Sequence, residues 1–269
     1  MKITIITAVR NTKDTLEKTI QSVIEQNYED IEYIIIDGGS TDGTLDIIRK
    51  YENSISRWVS ESDKGISDAF NKGIRMATGD IIGIVSADDY LPLGALAQVA
   101  QAYKENPTAD VIYGNAIFIE PYNQIQHIIR PDVGLNTIWR RQPLKHAATF
   151  VSRRAYERFG SFDLSYKLAM DYELILRFYT KGAHFVYIDS ILGAFCTGGV
   201  STRLYRRTIK EVRDISTKYG YSLTKANLIY VQKTIKLGFK QIVIHFGATN
   251  LLNLYRSYSG RFKIHNNNQ

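Results

Sequence analysis

Two adjacent carboxylates, Asp88 and Asp89, close the run Ile81-Ile82-Gly83-Ile84-Val85-Ser86-Ala87. Like charges at short range raise one another's pKa, so a pair at the end of a buried strand is costly to keep unless a cation shares it. Magnesium and manganese take oxygen ligands, commonly one or two carboxylates together with substrate phosphates. The doublet therefore points to a metal-bridged phosphate ligand. A local role competes: Asp is a preferred N-cap, and either residue can cap a helix beginning near Leu91-Pro92, with Pro in its first turn. The doublet alone does not separate the two.

The elements around it do more. Ile3 to Thr7 reads as a buried strand, and Leu16, Ile20, Val23 and Ile24 follow with helical spacing. Tyr33–Ile36, Arg57–Ser60 and Ile81–Val85 read as further strands, separated by helical patterns at Leu45/Ile47/Ile48 and from Ile66 to Ala77. An alanine-rich helix is expected from Leu93 to Glu105. Such alternation implies a mostly parallel sheet covered on both faces, with ligands at the C-terminal strand ends. Thr7, Ala8, Val9, Arg10 and Asn11 follow the first strand, Asp37 the second, Glu61 and Asp63 the third, and Asp88 and Asp89 the fourth. Carboxylates at three successive strand ends are expected to share one rim as a nucleotide and metal site. Neither GxGxxG after the first strand nor GxxxxGK[ST] is present, which excludes the usual dinucleotide and P-loop signatures. Beyond Asp110 the alternation weakens. Val111–Tyr113 and Ala116–Ile119 resemble two antiparallel strands, His146–Val151 another strand near the rim, and Phe185–Ile188 the last.

Five segments in this order resemble the family 2 glycosyltransferases of GT-A fold, above all bacterial enzymes of exopolysaccharide and lipid-linked oligosaccharide synthesis. They are Ile5 to Asn11, Tyr33 to Thr44 (YIIIDGGSTDGT), Ser62 to Gly73 (SDKGISDAFNKG), Gly79 to Tyr90 (GDIIGIVSADDY) and Gly160 to Arg177 (GSFDLSYKLAMDYELILR). The resemblance implies that Thr7, Ala8, Val9 and Asn11 line the nucleotide base and that Asp37 accepts a hydrogen bond from it. Asp63, Lys64 and Gly65 close over base and ribose, Asp88 faces the ribose or donor sugar, and Asp89 coordinates a divalent cation, manganese or magnesium, that bridges the diphosphate. Ser86 stands where the family often has an acid. Asp171 matches the second acidic motif, whose carboxylate is the general base of inverting transfer; on local pattern alone it reads equally as an N-cap. His146 lines the acceptor or diphosphate side, or is a structural histidine. The segment from Cys196 to Ser201 carries no histidine to serve as a third ligand, and its glycines read as a lid.

The implied organisation is a GT-A catalytic domain over 1–202, with a nucleotide-binding half (1–109) and an acceptor half (110–202), followed by a basic helical tail over 203–269. From Arg203 onward 13 Lys and Arg face only Glu211 and Asp214, a balance of +11 that leaves the rest at −4. Ile235, Leu237, Phe239 and Ile242 interleave with Lys233, Lys236 and Lys240, which fits a basic amphipathic helix on an anionic membrane surface. A helix folded back on the catalytic domain is the alternative, and no recognition module accompanies the charge to favour nucleic acid. No run of about 18 apolar residues predicts a membrane span. With the single cysteine Cys196, a cytoplasmic protein peripheral on the inner membrane face is expected.

The function this implies is an inverting, metal-dependent transfer of a hexosyl or N-acetylhexosaminyl group. The donor is a nucleotide-diphosphate sugar such as a UDP-sugar, and the acceptor a saccharide or lipid-linked saccharide. A sugar-nucleotide nucleotidyltransferase would carry a glycine-rich, basic triphosphate loop, which Thr7 to Thr12 lacks. A catalytically silent sugar-nucleotide-binding module would have no use for Asp171 beside Asp88 and Asp89.

Overall fold

Isoleucine on successive strand positions sets the centre of the fold. On the second strand Tyr33 and Ile35 face one core and Ile34 and Ile36 the other, all buried. This is the period-two pattern of a sheet covered on both sides. The computed structural model describes residues 1–120, 125–196 and 204–245, the side chains of 239–245 excepted. The elements run β1 (Ile3–Val9), α1 (Leu16–Ile24), β2 (Ile31–Asp37), α2 (Thr44–Lys50), β3 (Arg57–Ser60), α3 (Ile66–Met76), β4 (Ile81–Ile84) and α4 (Ala95–Glu105). There follow β5 (Val111–Ile119), β6 (Gln126–Ile129), β7 (Thr149–Ser152), α5 (Arg153–Phe159), α6 (Met170–Thr180), β8 (Phe185–Cys196), α7 (Tyr205–Lys218) and α8 (Leu223–His245).

The sheet has the order β3-β2-β1-β4-β7-β5-β6, with β8 paired to β5 off this path. β1 lies parallel between β2 and β4, and β2 pairs β3 in parallel. β7 is antiparallel to both β4 and β5, β6 is antiparallel to β5, and β8 is parallel to β5. The winding therefore reverses at β1, with β2 and β3 on one side and β4 on the other. The crevice outside the carboxyl ends at such a reversal is where ligands bind.

Three expectations need correction. The two short antiparallel strands after Asp110 are one strand, β5, because β8 runs along its whole length. β8 extends to Cys196 instead of ending near Ile188, and its register against β5 jumps from Tyr113↔Tyr187 to Asn115↔Ile191. The strand expected from His146 is a 3-10 turn, His146–Ala148, that only then enters β7.

α6 is buried nearly all round and joins two core clusters. Met170, Leu174 and Phe178 join the core under α3 and α5, while Tyr172, Ile175 and Leu176 join a third cluster with Tyr113, Leu144 and Ile215. Ile215 belongs to α7, so the first helix of the basic tail packs back on the preceding body of the fold. The glycine-bearing stretch over 197–203 and the tail beyond 245 lie outside the described residues. Among the described residues no helix is long and apolar enough to cross a membrane.

Candidate active site

β4 delivers the carboxylate doublet. The Val85 amide donates to the Ile6 carbonyl at 3.0 Å, carrying the β1–β4 ladder to the edge of the motif, and the Asp89 amide closes a turn onto the Ser86 carbonyl at 3.0 Å. The Thr19 hydroxyl of α1 holds the Asp89 carbonyl at 2.8 Å. Tyr90 and Ala194 of β8 exchange N–H···O bonds of 3.0 and 2.9 Å. The Asp89 side chain is buried and that of Asp88 reaches solvent. Neither caps α4, which starts at Ala95 with Gly94, in the left-handed region at φ 80°, as its N-cap. Surrounding protein and then the Asp89 charge push the Asp88 carboxyl above its ordinary range. This is the like-charge tension expected of the doublet.

The decisive side chain is His146. Its Nε2 lies 3.1 Å from Ser86 Oγ and 3.4 Å from Asp89 Oδ2, and its Nδ1 lies 3.5 Å from Asp171 Oδ2. Burial disfavours the imidazolium, but Asp171 and then Asp89 outweigh it and push the pKa up to about 9. The ring is 37% exposed, so solvent screens part of this attraction. The arrangement depends on a close approach of β8: a Cβ on Gly193 would collide with the Ala147 carbonyl, so only glycine lets the strand pass over the His146–Ala148 turn. Cys196, at the end of β8, sits near the doublet; burial first, then the charges of Asp89 and Asp88, push its thiol up.

Asp171 occupies the first turn of α6, one residue inside the start. The N-cap position belongs to Ala169, and no side chain of the helix caps it, so the capping role for Asp171 is not what the structure has. The Asp171 carboxylate is 29% exposed, open to a hydroxyl from solvent. Burial and then the charge of Asp171 raise the ionisation of the Tyr156 hydroxyl well above its ordinary range. Two residues on, Glu173 serves architecture instead. It is 1% exposed, pairs with Arg177 at 2.9 Å and accepts from Tyr219 at 2.5 Å.

The other predicted residues lie along the ends of β1, β2 and β3. Asp37 is fully buried, and its carboxylate accepts from the amides of Gly39 and Ser40 and the hydroxyls of Ser40 and Ser60, at 2.5–3.1 Å. Asn11, at φ 54°, ties β1 to the same turn: its amide donates to Ser40 Oγ and its Oδ1 accepts from the Thr41 amide. Thr7 and Val9 are buried, Thr7 against the Tyr33 hydroxyl, while Ala8 is half-buried. The Asp63 carboxylate accepts from the Gly65 amide at 2.8 Å and lies against Gly38, where a Cβ would strike it. Lys64 is exposed, and its carbonyl accepts from Lys167 Nζ at 3.1 Å. The acids thus stand in two groups, Asp37 with Asp63 at the ends of β2 and β3, and Asp89 of the doublet linked through His146 to Asp171 on α6. Sequence reasoning missed Ser86 as the hydroxyl that meets His146, and Lys167 as the link between the Asp171 loop and the Asp63–Gly65 loop. Both are ordinary surface residue types, and only proximity marks them.

Among the described residues no group of three or more His, Cys, Asp or Glu is gathered closely enough to hold a metal ion. The doublet nonetheless fits a cation that arrives with a diphosphate, since two carboxylates are the oxygen donors that magnesium or manganese takes when phosphates complete the shell.

A family model described as Glycosyl transferase family 2 matches residues 4–170, more than half of the chain. The chain belongs to glycosyltransferase family 2. An uncharacterized glycosyltransferase of Mycobacterium tuberculosis is 31% identical over 237 residues, covering 86% of this chain and 90% of the relative. A PGL/p-HBAD biosynthesis glycosyltransferase of Mycobacterium bovis is 26% identical over 225 residues, with 81% and 86% covered. Among solved structures, S. aureus TarS 1–349 in complex with UDP-GlcNAc superposes with a TM-score of 0.65 at 16% identity, over 86% of this chain and 71% of that one. The mannosyltransferase PcManGT of Pyrobaculum calidifontis, in complex with GDP-Man and Mn2+, gives 0.64 at 18%, over 96% and 82%. These likenesses show the GT-A fold of this family 2 glycosyltransferase.

Proposed function

We propose that this glycosyltransferase inverts the anomeric centre as it moves a hexosyl or N-acetylhexosaminyl group from a UDP-sugar to a saccharide or lipid-linked saccharide, in surface polysaccharide or glycolipid synthesis. One observation carries the reading: a single imidazole, His146, touches both Asp89 and Asp171. It sets the residue suited to the diphosphate and the residue suited to the acceptor one ring apart, with a cationic group between them. The complex of TarS with UDP-GlcNAc supports a UDP-sugar donor, and the PGL/p-HBAD biosynthesis relative supports a role in building a larger glycosylated product.

In this reading the acceptor oxygen attacks the anomeric carbon from the face opposite the diphosphate. The bond from that carbon to the diphosphate oxygen breaks, the electron pair leaves with the nucleoside diphosphate, and the acceptor proton passes to the Asp171 carboxylate. His146 orients Asp171 and places positive charge near the oxygen that becomes negative. A divalent cation held by Asp89, with Asp88 beside it, would neutralise the leaving diphosphate. Asp63, Lys64 and Gly65 close over base and ribose, with Thr7, Ala8, Val9 and Asn11 lining the base. For the base to reach Asp37, one of the two serine hydroxyls that now fill its carboxylate must turn aside.

The basic tail supports a site at the inner face of the cytoplasmic membrane. Leu228, Val231 and Ile235 stand exposed along one side of α8, with Lys225 and Lys236 exposed on the same helix. The test of the function is a panel of UDP- and GDP-sugars, screened for hydrolysis and transfer with and without manganese. Release of free UDP with net inversion at the transferred carbon is the expected result. Binding without turnover would favour a silent binding module, and conversion of the sugar nucleotide with added pyrophosphate into a nucleoside triphosphate and a sugar 1-phosphate a nucleotidyltransferase.

A further inference from the structure

α6 brings Asp171 to the site but opens at Ala169, a residue with no side-chain acceptor. The first amides of a helix have no intrahelical partner and need one from elsewhere. Here α7 supplies it for the N-cap: Glu211 Oε2 accepts from the Ala169 amide and from the Leu168 amide just ahead of the helix, both at 2.9 Å. A carboxylate at a helix N-terminus is also favoured by the helix dipole. α7 grips the same segment twice more. Lys218 Nζ lies 3.5 Å from Asp163 Oδ2 at the start of the loop, and the hydroxyl of Tyr219, just past the helix, donates to Glu173. Ile215, fully buried among Tyr172, Ile175 and Leu176, fixes the packing between these polar ties. The gripped loop also reaches the donor side, where Lys167 donates to the Lys64 carbonyl.

We infer that Glu211 is a positioning residue for Asp171, and that α7 is therefore a working part of the catalytic unit. It lies outside the stretch matched by the family model, 4–170. The inference rests on the reading of Asp171 as the base. Glu211 acts through the Leu168 and Ala169 amides; it sets where α6 begins and hence where the Asp171 carboxylate meets His146. A displacement of about 1 Å at a reacting group costs up to about 100-fold in rate, so one misplaced helix start is enough to be measured.

The experiment uses the full chain and the sugar nucleotide that turns over best in the panel. Glu211→Ala is expected to lower kcat roughly 10–50-fold while the donor KM stays within about twofold. Glu211→Gln, whose amide oxygen still accepts both N–H groups, is expected to keep at least about a third of wild-type kcat. Glu211→Asp withdraws the carboxylate by one methylene and is expected to fall between them, and it keeps the test open should the alanine variant not fold. Amide hydrogen exchange of the peptide covering 163–172 is expected to rise in Glu211→Ala. In an Asp171→Asn background the alanine change is expected to add little further loss, because both act through one group. Unchanged exchange, a loss that appears in KM alone, or a full multiplicative loss in the Asp171→Asn background would overturn the inference. Asp171→Asn as active as wild type would instead overturn the base assignment. Asp171→Asn inactive beside an unimpaired Glu211→Ala overturns the role of Glu211 alone.

Discussion

At the scale of single residues the site turns on a cation held between two carboxylates. Asp171→Asn is expected to leave the affinity for a sugar nucleotide nearly unchanged and to cut turnover about 10²–10⁴-fold, the range for lost general-base assistance. Calorimetric titration with donor, alongside turnover of the same variant, checks it; lost affinity with intact turnover would make Asp171 a binding residue. Asp89→Asn is expected to abolish the stimulation of donor binding by manganese while the cation-free protein keeps its fold by circular dichroism. Full wild-type activity in excess chelator would contradict that assignment. His146 carries a sign that can be worked out. Its folded pKa of about 9 lies above the ordinary 6.5, so the stability it contributes is complete below pH 6.5 and is lost as pH rises towards 9. The thermal midpoint in chelator is therefore expected to decline across that window, and His146→Gln to flatten the decline. Cys196, whose thiol is also pushed up, adds to the fall only at the alkaline end.

At the scale of elements, β8 is the clasp. It bonds the doublet through Tyr90 and Ala194 and passes the His146 turn at Gly193, so one strand sets the two halves of the site against each other. Gly193→Ala is expected to push strand and turn apart. Overpacking of this kind costs roughly 1–3 kcal/mol, and at about 2–4 °C per kcal/mol for a chain of this size the midpoint should drop by several degrees, with turnover falling as His146 moves. Gly182→Ala, where nothing lies within 4 Å of the new Cβ but φ is +78°, controls for backbone strain without a clash. Equal turnover in the two variants would remove the clasp from the account. α6 is the second decisive element: with Phe178 packed on Tyr156 and Phe159 at centroid distances of 6.1 and 5.2 Å, its far end is anchored in the core. Its first turn is left to present Asp171.

At the scale of the molecule, charge and apolar surface are divided between body and tail. The body carries −4 and the segment from Arg203 carries +11, while Leu228, Val231 and Ile235 of α8 face solvent. Each basic residue near an anionic surface contributes about 1 kcal/mol, acting within a Debye length of about 8 Å at physiological salt. The protein is expected to co-sediment with vesicles rich in anionic lipid, less so at high salt and not with neutral vesicles. Leu228→Asp combined with Ile235→Asp should weaken that binding without altering donor hydrolysis in solution. Equal binding to both vesicle types, or none, would leave α8 as a helix of the body.

The strand–helix order, the two cores and the strand ends carrying Asp37, Asp63, Asp88 and Asp89 were legible from the sequence, because buried parallel strands must be apolar on both faces and a ligand rim must follow them. Asp88 and Asp89 were legible as candidates because two ionised groups closing an apolar run need a purpose; Asp171 was legible only through its match to a family motif, since its local pattern reads equally as a cap. What the tertiary structure decided is which of these groups meet. That His146 touches both Asp89 and Asp171, that Ser86 meets the same ring from 60 residues away, and that Ser60 reaches back 23 residues to help fill Asp37 are contacts between distant residues, which no local pattern distinguishes. Glu211 shows the limit most clearly. It stood out as one of two acids in a basic stretch, yet a lone acid on a helix has the same local signature whether it faces water or caps another helix. Only the fold of α7 onto α6, with Ile215 buried between them, turns it toward the Leu168 and Ala169 amides where α6 begins.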